Sequence, residues 1–142
     1  MIREVEHGDL EAVLDVLHQL SPESRDVDRK RLEDVLDTII HDTNHYLYVF
    51  EEDGEILGTG TLVVQENLTH AGKPYGHIEN IVTDRDARGR GIGQTIVKHL
   101  IKKAKERGCY KTVLDCEEDL VGFYKKCGLN TTGEVQMRKD LG

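Results

Sequence analysis

The stretch Arg88-Gly89-Arg90-Gly91-Ile92-Gly93 constrains this chain most, because it joins a segment of strand character to an amphipathic helix. Upstream, residues 77–83 read as a strand. Downstream, Ile92, Ile96, Val97, Leu100, Ile101 and Ala104 keep helical spacing as far as Arg107. Three glycines in five positions let the backbone turn tightly and approach a ligand with no Cβ in the way. The amides of the loop and of the first helical turn, from Gly89 to Gln94, then point at one place. Unpaired donors and the positive end of the helix dipole make that place an anion site. Arg88 and Arg90 add charge suited to a pyrophosphate. Two other phosphate loops do not fit. The dinucleotide fingerprint needs its third glycine where Gln94 stands, and no G-x-x-x-x-G-K-[S/T] string occurs.

The rest of the chain supplies elements around this loop. Residues 2–6 alternate apolar and polar, as a short strand does. Asp9 can cap a helix carrying Leu10, Val13, Leu14, Leu17 and Leu20, which Ser21-Pro22 ends. A second helix from about Asp28 places Leu32, Val35, Leu36, Ile39 and Ile40 on one face. Residues 46–50 and 56–64 are strands joined by the hairpin signal Asp53-Gly54, and residues 67–75 form a polar loop. Gly108 suits a left-handed helix end. Residues 112–116 read as a strand, 120–127 as a short helix closed by Gly128, and 131–137 as a last strand. The order β-α-α-β-β-β-α-β-α-β is mixed α/β, hairpin-like in its first half and βαβ-like in its second. With 142 residues and no linker or repeat, residues 1–142 are expected to form a single domain.

Composition narrows the function. A formal net charge of −8 argues against general binding to nucleic acid or an anionic membrane surface. No stretch approaches the roughly 20 apolar residues of a bilayer span, and the charged N-terminus does not read as a secretory signal. Cys109, Cys116 and Cys127 form no C-x-x-C pair; free thiols imply a reducing, cytoplasmic setting. His41 and His45 are four apart but belong to no Cys/His cluster or H-E-x-x-H string, so no metal is expected.

Arg88, Gly91 and Gly93 match the Arg/Gln-x-x-Gly-x-Gly/Ala motif of the GNAT superfamily of acetyl-CoA-dependent N-acetyltransferases, which the sequence resembles over residues 46–138. The resemblance continues through Gly76-His77-Ile78-Glu79-Asn80-Ile81-Val82 and Phe123-Tyr124-Lys125-Lys126-Cys127-Gly128-Leu129. It implies an acyltransferase fold: a mixed central sheet, antiparallel in its N-terminal half, with a splayed parallel pair at the acetyl-CoA site and helices on its flanks. Within the superfamily the chain is most similar to the glucosamine 6-phosphate N-acetyltransferases. They share Gly76 to Ile81 except at Asn80, then Cys109-Tyr110-Lys111, Leu114-Asp115-Cys116 and Phe-Tyr-x-Lys-Cys-Gly from Phe123. Asn80 stands where they have Asp, and Asn67 where they can carry Lys; Lys73 is one candidate to replace that charge.

Acetyl transfer needs a neutral amine, a polarised thioester and a proton for the departing thiolate. Strand alternation puts Glu79 on one face with His77 and Ile81, as a candidate to deprotonate the amine directly or through water. By resemblance, the backbone at Ile81 and Val82 binds the acetyl carbonyl and pantetheine arm. Asp115 orients the substrate ammonium, and Tyr124 protonates the CoA sulfur. Acceptor contacts implied the same way are Ser21, His70, Glu79, Asn80, Asp115 and Arg138. Cys116 invites a covalent acetyl intermediate, but no His/Asp arrangement supports it. The expected acceptor is a small-molecule amine, with a homodimer implied by resemblance. A protein or peptide amine acceptor and a non-catalytic acetyl-CoA-binding module stay open.

Overall fold

The computed structural model describes residues 1–20 and 27–142. Its elements are β1 (Ile2–Glu4), α1 (Leu10–Leu17), α2 (Arg29–His41), β2 (His45–Glu52), β3 (Glu55–Gln65), β4 (Tyr75–Thr83), α3 (Ile92–Glu106), β5 (Thr112–Val113) and α4 (Val121–Lys126). The five strands form one sheet in sequence order, antiparallel from β1 to β4 and parallel between β4 and β5. The expected mixed sheet is therefore present. The β2–β3 hairpin turns at Asp53-Gly54, both left-handed with φ of 52° and 80°, which suits the right-handed twist of the flanking strands.

Helix α3 covers one face of the sheet. Ile92, Ile96, Val97, Leu100 and Ala104 bury against Leu62, Val64 and Ile78, and each large side chain stabilises by about 1.5–3 kcal/mol. Glycine in β3 brings the helix close: a Cβ on Gly60 would lie 2.7 Å from both Ile96 Cγ2 and Ile81 Cδ1. On the other face Val5, Leu10, Val13, Leu36 and Val49 form a second core under α1 and α2. Two helices end as predicted. Gly108 and Gly128 are left-handed, and Cys109 and Leu129 donate back to the carbonyls of Ala104 and Tyr124 at 3.0 and 3.2 Å.

Four local expectations change. Asp9 does not cap α1 with its side chain; its carboxylate accepts from the Glu6 amide at 2.7 Å and from Arg3, closing the 3-10 turn His7–Asp9. Leu20 lies beyond the helix and is 54% exposed. The strand expected over residues 112–116 is only Thr112–Val113, because β5 leaves β4 after the pair His77 and Val113. Residues 131–137 do not form a strand: among the described residues they pair with no edge, and they are exposed, including Val135 at 82% and Met137 at 90%.

Candidate active site

The divergence of β5 from β4 opens the site. Beyond His77, the edge of β4 that faces away from β3 has no strand partner among the described residues. Within this edge the strand bulges. Thr59 pairs with Val82 and Thr61 with Glu79, so two residues of β4, Asn80 and Ile81, oppose Gly60 alone. Asn80 takes a left-handed φ of 51° at the bulge. One extra residue shifts the side-chain alternation, and this corrects the sequence-based grouping of Glu79 with Ile81. Ile81 joins the core under α3, whereas Glu79 is exposed.

Downstream the chain turns through Gly89 and Gly91, at φ of 84° and 78°, into α3. The first backbone bond across the turn runs from the Thr95 amide to the Gly91 carbonyl at 3.0 Å. The amides of Ile92, Gly93 and Gln94 precede it, as orphan donors of a helix N-terminus do. Gly93 meets a different need. A Cβ there would sit 3.2 Å from both Phe123 Cζ and Thr83 Oγ1, so the missing side chain lets α4 lean on the start of α3. The two flanking arginines differ. Arg90 donates to both carboxylate oxygens of Glu52, at 2.6 and 2.8 Å, so its charge is already met. Arg88 is exposed and forms no ion pair among the described residues; its Nε lies 3.5 Å from the Thr83 carbonyl.

A cleft of about 570 Å³ follows β5, α4 and the C-terminal segment. Asp115, Cys116 and Tyr124 share its wall with Tyr75, His77 and Lys111. The Tyr124 ring meets Phe123 edge-on, with centroids 4.9 Å apart and planes at 84°, which ties it through Phe123 to Gly93. Burial first, then the Cys116 and Cys127 thiols, hold the Tyr124 phenol above the usual tyrosine range. It therefore stays protonated at neutral pH. Asp115 accepts from Gln136 Nε2 at 2.8 Å.

The cleft thus gathers Asp115 and Tyr124 but not every predicted residue. Glu79 and Asn80 are not among its lining. His70 stands one ring away, stacked on Tyr110 at 3.9 Å. Arg138 is exposed and pairs with Asp140 at 2.7 Å, and Ser21 lies outside the described residues. Lys73, the candidate replacement cation, does not line the cleft, whereas Lys111 does and lies 4.9 Å over the Tyr75 ring. Sequence reasoning missed Lys111 and Tyr75. The Cys109-Tyr110-Lys111 string was the one available signal for the lysine, which only the fold brings beside Tyr75.

Comparison with known proteins agrees with this geometry. The acetyltransferase (GNAT) family profile matches residues 11–129. Glucosamine 6-phosphate N-acetyltransferase 1 of Oryza sativa subsp. japonica is 35% identical over 133 residues, 89% of this chain and 79% of that protein. The Trypanosoma brucei brucei glucosamine 6-phosphate N-acetyltransferase is 37% identical over 95 residues, 67% of this chain and 64% of that protein. Across the first such relatives the matched chain spans between 58% and 79% of their own length. The crystal structure of glucosamine-6-phosphate N-acetyltransferase from Arabidopsis thaliana superposes with a TM-score of 0.92 at 30% identity, covering 100% of this chain and 98% of that one. With its glycine-rich turn, splayed strand pair and matching profile, the chain belongs to the acetyltransferase (GNAT) family.

Proposed function

We propose that this chain transfers the acetyl group of acetyl-CoA to the primary amine of a small amino-sugar phosphate, with glucosamine 6-phosphate as the leading acceptor. The observation that carries the reading is the splay between β4 and β5, with Tyr124 and Asp115 together in the cleft beside it. Acetyl-CoA fits the residues present. The open turn at Gly89 and Gly91, the first-turn amides of α3 and Arg88, which forms no ion pair among the described residues, suit its pyrophosphate. The bulged edge at Ile81 and Val82 offers backbone donors to its thioester carbonyl.

In this mechanism both substrates are bound at once. The acceptor ammonium loses a proton to Glu79 directly or through water, while Asp115 holds the nitrogen. The amine attacks the thioester carbonyl, a C–N bond forms, the nitrogen gives up its second proton to solvent, and the C–S bond breaks. The Tyr124 hydroxyl gives its proton to the departing thiolate, and the phenolate recovers one from solvent. Lys111, in the cleft wall, supplies the positive charge for the acceptor's phosphate that Asn67 does not. The likeness to glucosamine 6-phosphate N-acetyltransferases supports this acceptor.

The same reading places the chain in the cytoplasm as a homodimer. Val135, Met137 and Leu141 are 82%, 90% and 92% exposed, Val135 in the wall of the cleft that follows β5, and a second copy is the occupant that would cover them. That arrangement also gives Arg138 a route to a partner's site.

The test follows CoA release from acetyl-CoA with a panel of amines headed by glucosamine 6-phosphate, alongside sedimentation velocity. Turnover of the sugar phosphate well above glucosamine is expected, with a dimer in solution. Preference for an unphosphorylated amine would overturn the acceptor, and no CoA release with any amine would overturn the enzymatic reading.

A further inference from the structure

The loop between β3 and β4 carries three consecutive residues in the left-handed region: His70, Ala71 and Gly72, with φ of 53°, 60° and 76°. Only the last is glycine, and other L residues avoid this conformation, so other contacts must hold the turn. Two sets do. The His70 ring lies flat on Tyr110, with centroids 3.9 Å apart and planes at 14°. Before it, Asn67 Nδ2 meets both the Thr69 carbonyl at 3.3 Å and Thr69 Oγ1 at 2.6 Å, and Thr69 Oγ1 stands 3.0 Å from His70 Nδ1.

The first link orients the Asn67 amide. A backbone carbonyl only accepts, so the Asn67 atom that faces it is the amide nitrogen. That nitrogen carries two protons, one for the carbonyl and one for Thr69 Oγ1. The threonine oxygen therefore receives one hydrogen bond, which leaves its own O–H free to point at His70 Nδ1. A ring nitrogen that accepts holds a lone pair, which leaves the ring proton on Nε2.

We propose that Asn67 and Thr69 are positioning residues for the acceptor site: they lock His70 as the Nε2–H tautomer, so that the ring presents a donor to an anionic oxygen of the acceptor. The inference rests on the reading of His70 as an acceptor contact. Tyr110 sets the pitch of the ring and connects it to the cleft. It lies 5.9 Å from Tyr75, and Lys111 stands over the Tyr110 and Tyr75 rings at 5.3 and 4.9 Å. Donor and ammonium are thus mounted on one aromatic wall. Asn67, which brings no charge, brings an orientation instead.

The test reads the tautomer itself. In full-length protein carrying ¹⁵N-labelled histidine, two-bond ¹H–¹⁵N correlation spectra should show His70 in the Nε2–H form. Thr69→Val removes the hydroxyl at nearly constant shape and should release the ring to a mixture; Thr69→Ser should restore the lock. Asn67→Asp offers a carboxylate that only accepts. It should turn the Thr69 O–H around and invert His70 to Nδ1–H. With glucosamine 6-phosphate as acceptor, Thr69→Val and Asn67→Asp should raise KM about tenfold with kcat little changed, and Thr69→Ser should stay near the parent. His70 found as Nδ1–H or as an unbiased mixture in the parent overturns the proposal, as does a tautomer that Asn67→Asp leaves alone. A lock that inverts as expected while KM stays fixed overturns the acceptor role of His70, and with it the positioning role, but leaves the bonded chain standing.

Discussion

Asn80 holds a left-handed backbone in the middle of an extended strand. Among residues with a Cβ, asparagine is one of the few that tolerate this region. A position that reads in the sequence as a lost carboxylate therefore has a conformational reason for its residue. Asn80→Gly should keep stability within about 0.5 kcal/mol, because glycine adopts the same φ freely. Asn80→Val, β-branched at positive φ, should lose roughly 1–3 kcal/mol. Urea midpoints of the two variants check this. Tyr124 makes the second residue-scale prediction. Its phenol is raised mainly by burial, and an acid works only while protonated. The plateau of kcat should thus extend to higher pH than an ordinary tyrosine would allow, and fall as pH rises through the raised value. Tyr124→Phe should lower kcat by a factor on the order of 10² and abolish that alkaline limb, as a kcat–pH profile will show.

At the scale of elements, a single cation fastens β1. Arg3 donates to both oxygens of Asp9, at 2.7 and 3.0 Å, and to Glu51 at 2.6 Å, joining β1, the turn before α1 and β2. The Arg3 hydrogen bond is the chief reason that Asp9 is held below the ordinary carboxylate value of 3.8. A depressed carboxylate stabilises the fold above its unfolded pKa, and that contribution is lost as pH falls through the folded one. Stability should therefore decline below about pH 4. Asp9→Asn should be less stable at pH 7 by about 1–3 kcal/mol and should flatten this acid slope, measured by urea unfolding at pH 3 to 7. The helix itself was legible from its apolar spacing, but the partner of Asp9 was not, because Arg3 meets it only through the fold. The same contrast runs along the chain. Periodicity shows α3, and Asp53-Gly54 shows the hairpin, because both are local patterns. The bulge at Asn80 is invisible to strict alternation, which is why Ile81 was assigned to the wrong face. Residues 131–137 alternate well enough to read as a strand, yet pairing needs an edge, and among the described residues none receives them. Of the site, the glycine turn and Tyr124 could be read from the sequence, whereas the proximity of Lys111 to Tyr75 depends on how β4 and β5 meet.

Across the whole molecule, the sheet runs in sequence order, and the central pairs β2–β3 and β3–β4 join neighbours along the chain. Contacts between sequence neighbours close early and at small entropic cost. Val64, buried at 2% in β3, belongs to this local unit, so Val64→Ala should slow refolding. The β1–β2 pair is different, since Arg3 and Glu51 are 48 residues apart. Arg3→Ala should mainly speed unfolding, which the two limbs of a chevron will separate. The amino group of Met1 bonds to the Glu51 carbonyl at 2.8 Å. During synthesis this segment waits until β2 has emerged before it has anything to hold. β1 is thus fastened only after the chain has grown by the 48 residues that separate Arg3 from Glu51.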